Sequence, residues 1–203
     1  MKKTLPIALV LVVLLVGGIG GYRTYQAGMA LKQEGGRVSY LPRSRFIGNV
    51  KLVFDNGTTQ GYAVELGGDP AHRLDVPAKG CVIVETQAGP LSFRVLEGET
   101  LVEERREELS APKQGIRDRV YIYNRGAAST YLVERIGYSQ TGQDPILGGM
   151  GLSPEQLRKA NTTEFAGQVF VDAGEIDDLF RQAPSSVQST IGMAYRKRLS
   201  RKR

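Results

Sequence analysis

Hydrophobic residues fall at every second position along several short runs in the middle of the chain, a period typical of β-strands. The runs begin near residues 50, 62, 74, 81, 91, 101, 120 and 130. Turn-forming residues separate them, as in Asp55-Asn56-Gly57, which favours a tight hairpin. We therefore predict a mainly β fold over residues 46–142, an antiparallel β-sandwich of about 7–9 strands with one face of each strand buried and the other in solvent.

The N-terminal segment has a different pattern, because an uncharged and largely apolar run extends over residues 4–22, directly after Lys2 and Lys3. A helix needs about 20 such residues to span a bilayer. We predict a cytoplasmic N-terminus at 1–3, a transmembrane signal anchor at 4–22 and a stalk at 23–45. A cleaved signal peptide is the alternative, but the run is longer than the roughly 7–15 residues of a signal core.

The charges that flank the apolar run predict its orientation. Lys2 and Lys3 favour an N-terminus inside the cell under the positive-inside rule. We therefore expect a single-pass protein of the plasma or inner membrane with its C-terminal domain outside the cytoplasm. Gly17 and Gly21 form a GxxxG pair, a spacing that lets two membrane helices pack closely, and we take them as candidate residues for helix packing.

Residues 143–195 have a mixed pattern that predicts an α/β extension of the sandwich. Ser153-Pro154-Glu155-Gln156 combines an N-cap Ser, a Pro in the first turn and a Gln at N3, which indicates the start of a short helix ending near Asn161. Three more elements are expected: a strand over 164–171, a helical turn over 175–180, and a C-terminal helix that starts at Ser185 or Ser186 and runs towards Arg198.

The positive charge of the chain is concentrated in residues 196–203. The net charge is +6, and the basic residues of this segment account for all of it. They are Arg196, Lys197, Arg198, Arg201, Lys202 and Arg203. Such a basic tail attracts anionic lipid or acidic polymers. Nucleic acid is disfavoured as a partner, because a DNA-binding fold usually carries its positive charge on the folded face.

The residues that most often carry catalysis are scarce. Cys81 is the single cysteine and lies in an apolar run, so we expect it to be buried and inert. His72 is the single histidine and is expected to be a solvated turn residue. The densest acidic cluster near a loop is Asp172, Glu175, Asp177 and Asp178, whose spacing does not match an EF-hand. We therefore predict no catalytic, cofactor-binding or metal-binding residue.

A block of six consecutive charges occupies residues 103–108, in the order Glu-Glu-Arg-Arg-Glu-Glu. The block is expected to lie on a solvated strand or loop with local ion pairs. Charges at such a place also protect a sheet edge against aggregation. A partner-binding edge is the second interpretation.

The stretch from Leu74 to Glu85, followed by Ala88-Gly89, has a hydrophobic–Pro–Gly–strand–Gly pattern. It resembles a segment of carboxypeptidase-regulatory-like and PEGA-type modules. Two residues separate Pro77 from Gly80, where those modules have one. The resemblance implies a β-sandwich accessory domain without catalysis.

These observations lead to one functional hypothesis and two alternatives. The first is a membrane-anchored, non-catalytic β-sandwich domain that binds a protein partner or supports assembly in the cell envelope. The second is a cytoplasm-facing adaptor whose basic tail binds nucleic acid or anionic lipid. The third is an enzyme that uses the carboxylates of Glu175, Asp177 and Asp178, since paired carboxylates with different pKa values perform acid–base chemistry.

Overall fold

The computed structural model describes residues 28–42, 50–113, 117–137, 153–180 and 195–202. Within these ranges the chain is built mainly from β-strands, which confirms the mainly β part of the predicted fold class. The elements are, in chain order, β1 (Met29–Glu34), β2 (Arg37–Pro42), β3 (Val50–Asp55), β4 (Tyr62–Leu66), β5 (Arg73–Val76), β6 (Cys81–Thr86), β7 (Gly89–Glu97), β8 (Thr100–Leu109), β9 (Asp118–Asn124), β10 (Thr130–Gly137), α1 (Pro154–Ala160), β11 (Thr162–Phe165), β12 (Phe170–Ile176), β13 (Asp178–Leu179) and β14 (Tyr195–Lys202).

The strands form three sheets. Sheet A has the order β1-β2-β6-β3-β9-β12, sheet B the order β5-β4-β7-β8, and sheet C the order β11-β10-β14-β13. Sheet B is antiparallel throughout. Sheet A is mixed, because β3 runs parallel to β9 and β2 parallel to β6. The purely antiparallel arrangement that we predicted therefore holds for sheet B but not for sheet A.

Sheets A and B enclose the larger hydrophobic core, as expected for a β-sandwich. Leu52 and Phe54 of β3 face this core, together with Val64 of β4 and Phe93 of β7. The rings of Phe54 and Phe93 meet edge to face with their centroids 5.2 Å apart. Each of these four side chains is inaccessible to solvent. The alternation recognised in the sequence thus marks the residues that join the two sheets.

A second core lies on the opposite face of sheet A, between that sheet and sheet C. It contains Val53 of β3 and Ile122 of β9, with Tyr131 of β10 and Leu199 of β14. Strands β3 and β9 are therefore buried on both faces. Our expectation that one face of each strand contacts solvent is wrong for these two. The cause is the extra layer supplied by sheet C, which makes the described architecture three sheets deep.

Residues 29–42, which we assigned to a stalk, form the hairpin β1–β2 at one edge of sheet A. Gly35 and Gly36 make the turn with φ of 55° and 80°, values that glycine adopts without steric cost. Tyr40 and Leu41 are buried. The sequence did not indicate this hairpin because its first strand alternates weakly and its turn resembles a flexible linker.

The turn signals at Asn56-Gly57 and Asn124-Arg125-Gly126 mark crossings between sheets rather than hairpins. Asn56 follows β3 of sheet A and leads towards β4 of sheet B, and its side-chain amide donates to the carbonyls of Gln60 and Pro77. Asn124 ends β9 of sheet A before β10 of sheet C. Both Asn residues are fully buried, and the side-chain amide of each donates to two backbone carbonyls of the loops. These side chains thus supply hydrogen bonds that the strands of a hairpin would have made with each other.

The extension is folded into the sheets. Helix α1 begins as predicted, with the amide of Gln156 donating to Oγ of Ser153 and the amide of Ser153 donating to the Gln156 side chain. The predicted helical turn at 175–180 is wrong, because β12 and β13 occupy it. Residues 195–198, which the predicted C-terminal helix would reach, belong to β14 instead.

The predicted transmembrane segment at 4–22, with Gly17 and Gly21, lies outside the described residues, and so does most of the predicted C-terminal helix. Within the described ranges, no helix has both the length and the hydrophobicity needed to cross a bilayer.

Candidate functional site

The basic residues at 196–202 form a strand in the interior of sheet C. β14 pairs antiparallel with β10 and parallel with β13. Leu199 is completely buried in the second core. Nε of Arg198 donates to Oε2 of Glu134 on β10 at 3.0 Å, and Arg201 forms an ion pair with Asp55. Two of the six candidate contacts for a polyanion are thus engaged within the fold.

Asp55 is the centre of a buried polar and ionic cluster. It ends β3, and its side chain is inaccessible to solvent. Tyr131 donates a hydrogen bond of 2.6 Å to Oδ2 of the carboxylate, while Arg201 binds Oδ1. The hydroxyl of Tyr62 donates to the backbone carbonyl of Asp55 at 3.3 Å. Burial and the hydrogen bond to the carboxylate raise the pKa of Tyr131 above its ordinary value.

The remaining basic residues of the tail differ in exposure. Lys197 is partly buried and Lys202 is exposed. Residue 203 lies outside the described range. A strand also sends alternate side chains to opposite faces of its sheet. Lys197, Arg198, Arg201 and Lys202 therefore do not form one continuous exposed basic surface.

Three acidic residues of the predicted cluster, Asp172, Glu175 and Asp177, have partners within the fold, and the side chain of Asp178 lies outside the described part of the chain. Asp177 is nearly buried and binds Nε of Arg117 at 3.0 Å, and it also accepts from the backbone amide of Lys197 at 2.7 Å. Asp172 forms an ion pair with Arg119. Glu175 accepts a hydrogen bond from the backbone amide of Lys113. No group of His, Cys, Asp and Glu within the described ranges has an arrangement that could hold a metal ion.

The side chains of His72 and Cys81 pack against other residues of the fold. The His72 ring packs edge to face on Tyr40, with centroids 5.3 Å apart, and its Nδ1 lies 3.6 Å from a carboxylate oxygen of Asp69. His72 is therefore partly buried, and our expectation of a solvated residue is wrong. Cys81 is partly buried and packs against the second core. Neither residue has a nucleophile–base geometry around it.

An open groove of about 460 Å³ lies beside the β1–β2 turn. Its floor is apolar and includes Ile83 and Val120. Its charged walls are already paired, Arg37 with Glu85 and Lys51 with Asp118. Because each charge has a partner of the opposite sign, the groove presents no unbalanced charge to a ligand.

The charge block at 103–108 lies on β8, an edge strand of sheet B that pairs with β7 alone among the described strands. Glu103, Arg105 and Glu107 are partly buried and form one row. Arg105 binds the carboxylates of both neighbours, and Tyr123 of β9 donates to Glu103 at 2.6 Å. Burial opposes ionisation of Glu103, but these hydrogen bonds hold its pKa below the usual range.

The other row of β8 has no partners. Glu104, Arg106 and Glu108 are exposed and make no ion pair with any described residue. Next to them are Leu101 and Val102, the exposed large hydrophobic residues of the described chain, with 44% and 53% of their surface accessible. The charges were recognisable from the sequence, but the exposure of these two residues was not. Their sequence did carry a signal: successive residues of a strand point to opposite faces, so two adjacent apolar residues beside a charge block indicate that one of them faces solvent.

Comparisons of the chain with protein-family models, with curated proteins and with solved structures find no match. The functional conclusion therefore depends on the residues of this chain alone.

Proposed function

We propose that this chain is a non-catalytic protein-binding module of the cell envelope, tethered to the membrane by residues 4–22 and in contact with its partner through β8. The observation that carries the proposal is the position of Leu101 and Val102, adjacent and exposed on a strand whose outer edge is unpaired among the described strands. An exposed apolar pair on an open edge is favourable for a protein contact and costly when left in water.

The length of β8 supports the same choice. It has 10 residues, whereas the other edge strands β1, β5, β11, β12 and β13 have 6, 4, 4, 7 and 2. A strand edge presents backbone N–H and C=O groups that another chain can satisfy, and the number of such groups grows with strand length. Among the described edges, β8 therefore combines the longest template with exposed apolar surface.

The two alternative functions have less support. For the carboxylate enzyme, Asp177 is neutralised by Arg117 and lacks the accessible position that a general acid or base needs. For the adaptor, Arg198 and Arg201 are engaged with Glu134 and Asp55. Of the tail residues with described side chains, Lys202 is the exposed basic one, so the adaptor hypothesis retains few accessible charges there.

Site-specific photo-crosslinking in the native cells tests the proposal. A photoreactive amino acid replaces Val102 in the full chain, and Asp75, an exposed residue on the opposite edge strand of sheet B, is the matched control position. We expect a discrete protein adduct from position 102 and none from position 75. Adducts of equal yield from both positions, or none from position 102, would contradict the proposal.

A further inference from the structure

We infer that the occupant of the β8 edge is an extended segment of a different protein whose side chains alternate basic, acidic, basic. This inference rests on the proposed function, since it names the partner chemistry of the same surface. Three features of β8 carry it: an inner row whose charges pair with one another, an outer row without ion pairs to described residues, and an order of charges that opposes pairing with a second copy of this chain.

The charges of the inner row pair with one another. Arg105 lies between the carboxylates of Glu103 and Glu107 and binds both. Tyr123 adds a hydrogen bond to Glu103. An incoming strand therefore gains little by placing a charge opposite this row, and neutral side chains suit it best.

The outer row, in contrast, is open to a partner. Glu104, Arg106 and Glu108 are exposed and lie at alternate positions of the strand, so they share one face of the sheet. Residues directly opposite each other on neighbouring strands lie about 4.5–5.5 Å apart at Cβ, and opposite charges at this distance attract. The complement of acidic–basic–acidic is a strand with a basic, an acidic and a basic residue at alternate positions.

The start of the strand fixes where such a segment pairs. The register between β7 and β8 shifts after Glu103, so that Leu101 lies opposite Leu96 and Val102 is the extra residue of a β-bulge. Regular pairing at the open edge therefore extends over residues 103–108. The Leu101–Val102 pair flanks this stretch and offers an apolar contact to one end of the segment.

A second copy of the chain is a poor occupant. In a symmetric antiparallel pair, the register that sets Glu104 opposite Arg106 of the other copy also sets Arg105 opposite Arg105. A shift by two residues sets Arg105 opposite Glu107 but brings Arg106 opposite Arg106. The block Glu-Glu-Arg-Arg-Glu-Glu thus places like charges opposite each other on one face in either register, which is destabilising.

A charge-swap experiment tests the inference. The full chain is placed in nanodiscs of neutral phosphatidylcholine, and binding of labelled peptides is followed by fluorescence anisotropy. One peptide carries Lys, Glu, Lys at alternate positions with Thr between them and Leu at both ends; the control peptide carries Glu, Lys, Glu on the same frame. The protein variant combines Glu104→Lys, Arg106→Glu and Glu108→Lys, and its melting temperature serves as the folding control.

We expect the original chain to bind the Lys-Glu-Lys peptide about tenfold more tightly than the control peptide, and the swapped variant to reverse this preference. Equal binding of both peptides, no binding, or an unchanged preference in the variant would overturn the inference. If position 102 crosslinks to another protein while these peptides fail, the function stands and the partner chemistry is wrong. A crosslink to a second copy of the chain would likewise refute the named occupant.

Discussion

The hydroxyl of Tyr131 donates a hydrogen bond of 2.6 Å to Oδ2 of Asp55, a residue 76 positions earlier in the chain. Arg201 occupies the other oxygen of the same carboxylate. One buried carboxylate thus joins β3 of sheet A to β10 and β14 of sheet C. Because Asp55 has no contact with solvent, its charge depends on these two partners for compensation.

Replacement of Asp55 by Ala is therefore expected to destabilise the fold by roughly 3–5 kcal/mol, because the Arg201 guanidinium loses its buried counter-charge. Tyr131→Phe removes one hydrogen bond and is expected to cost about 1.5–3 kcal/mol. Thermal unfolding of the full chain in detergent, followed by near-UV circular dichroism, measures both. Asp75→Ala is the control, since its side chain is 90% exposed. Equal melting temperatures for the Asp55 and Asp75 variants would contradict the conclusion that the contacts of Asp55 stabilise the fold.

The free energy of unfolding at alkaline pH should depend on the ionisation of the buried tyrosines. Burial raises the pKa of Tyr62, Tyr123 and Tyr131 well above the ordinary value of 10.0. These groups stay protonated in the folded chain while the unfolded chain ionises, so their contribution is full below pH 10.0 and is lost as the pH rises further.

We expect the free energy of unfolding to fall above that pH by about 1.4 kcal/mol per pH unit for each such group. Absorbance of phenolate at 295 nm should show part of the tyrosines ionising only as the chain unfolds. Tyr131→Phe should make the loss shallower. A titration in which all tyrosines ionise reversibly near their ordinary pKa would contradict the burial.

The basic residues of β14 with described side chains should separate into structural and exposed groups. Arg201→Gln is expected to lower the melting temperature, because it removes the ion pair with Asp55. Lys202→Gln removes the same charge from an exposed position and should change the free energy of unfolding by less than about 0.5 kcal/mol. Retention on heparin should fall equally little in both variants while they are folded. A large loss of retention for Lys202→Gln alone would restore the polyanion hypothesis.

A matched pair of glycines tests the packing between the hairpin β1–β2 and sheet B. Gly67 and Gly98 both have positive φ, 67° and 61°, so alanine strains the backbone similarly at each, by about 1–2 kcal/mol. A Cβ at residue 67 would also lie 2.6 Å from the hydroxyl of Tyr40, whereas nothing lies within 4 Å at residue 98. Gly67→Ala should therefore lower the melting temperature more than Gly98→Ala. Equal losses would show that Tyr40 does not pack there.

The sequence predicted those parts of the fold that depend on local pattern. The period of two at Val50, Leu52 and Phe54 marks the face of β3 in the larger core, and Ser153 with Gln156 marks the start of α1. Both signals lie within a few neighbouring residues. A strand face and a capping box are therefore readable without knowledge of the rest of the chain.

Sheet C was not predictable in the same way, because its stabilising contacts are distant in sequence. Among the side chains of β14 that the structure describes, Leu199 is the single buried apolar one, and the residues around it are mostly basic, so the pattern resembles a solvated tail. Its partners Glu134 and Asp55 lie 64 and 146 positions away. Val53 and Ile122 did carry a signal, since apolar residues on both parities of a strand indicate burial on both faces.

The candidate surface on β8 was also predictable only where it depends on local sequence. The charges of residues 103–108 are visible in the sequence, and their placement on an edge strand was one of the two interpretations. The separation into a paired inner row and an outer row without described ion pairs depends on tertiary contacts such as that of Tyr123, which approaches Glu103 from another sheet. The exposure of Leu101 and Val102 likewise depends on the position of β8 at the edge of sheet B.

The position of β14 in the middle of sheet C has a consequence for how the protein is made. A ribosome releases residues 195–202 after every other described strand, yet β10 and β13 have no neighbour between them until those residues arrive. Until then Val53, Ile122 and Tyr131 have no cover from Leu199. In a nascent chain that lacks β14, the face of sheet A that belongs to the second core is therefore incompletely covered. We expect the need for a chaperone to be greatest in the interval before β14 pairs with β10.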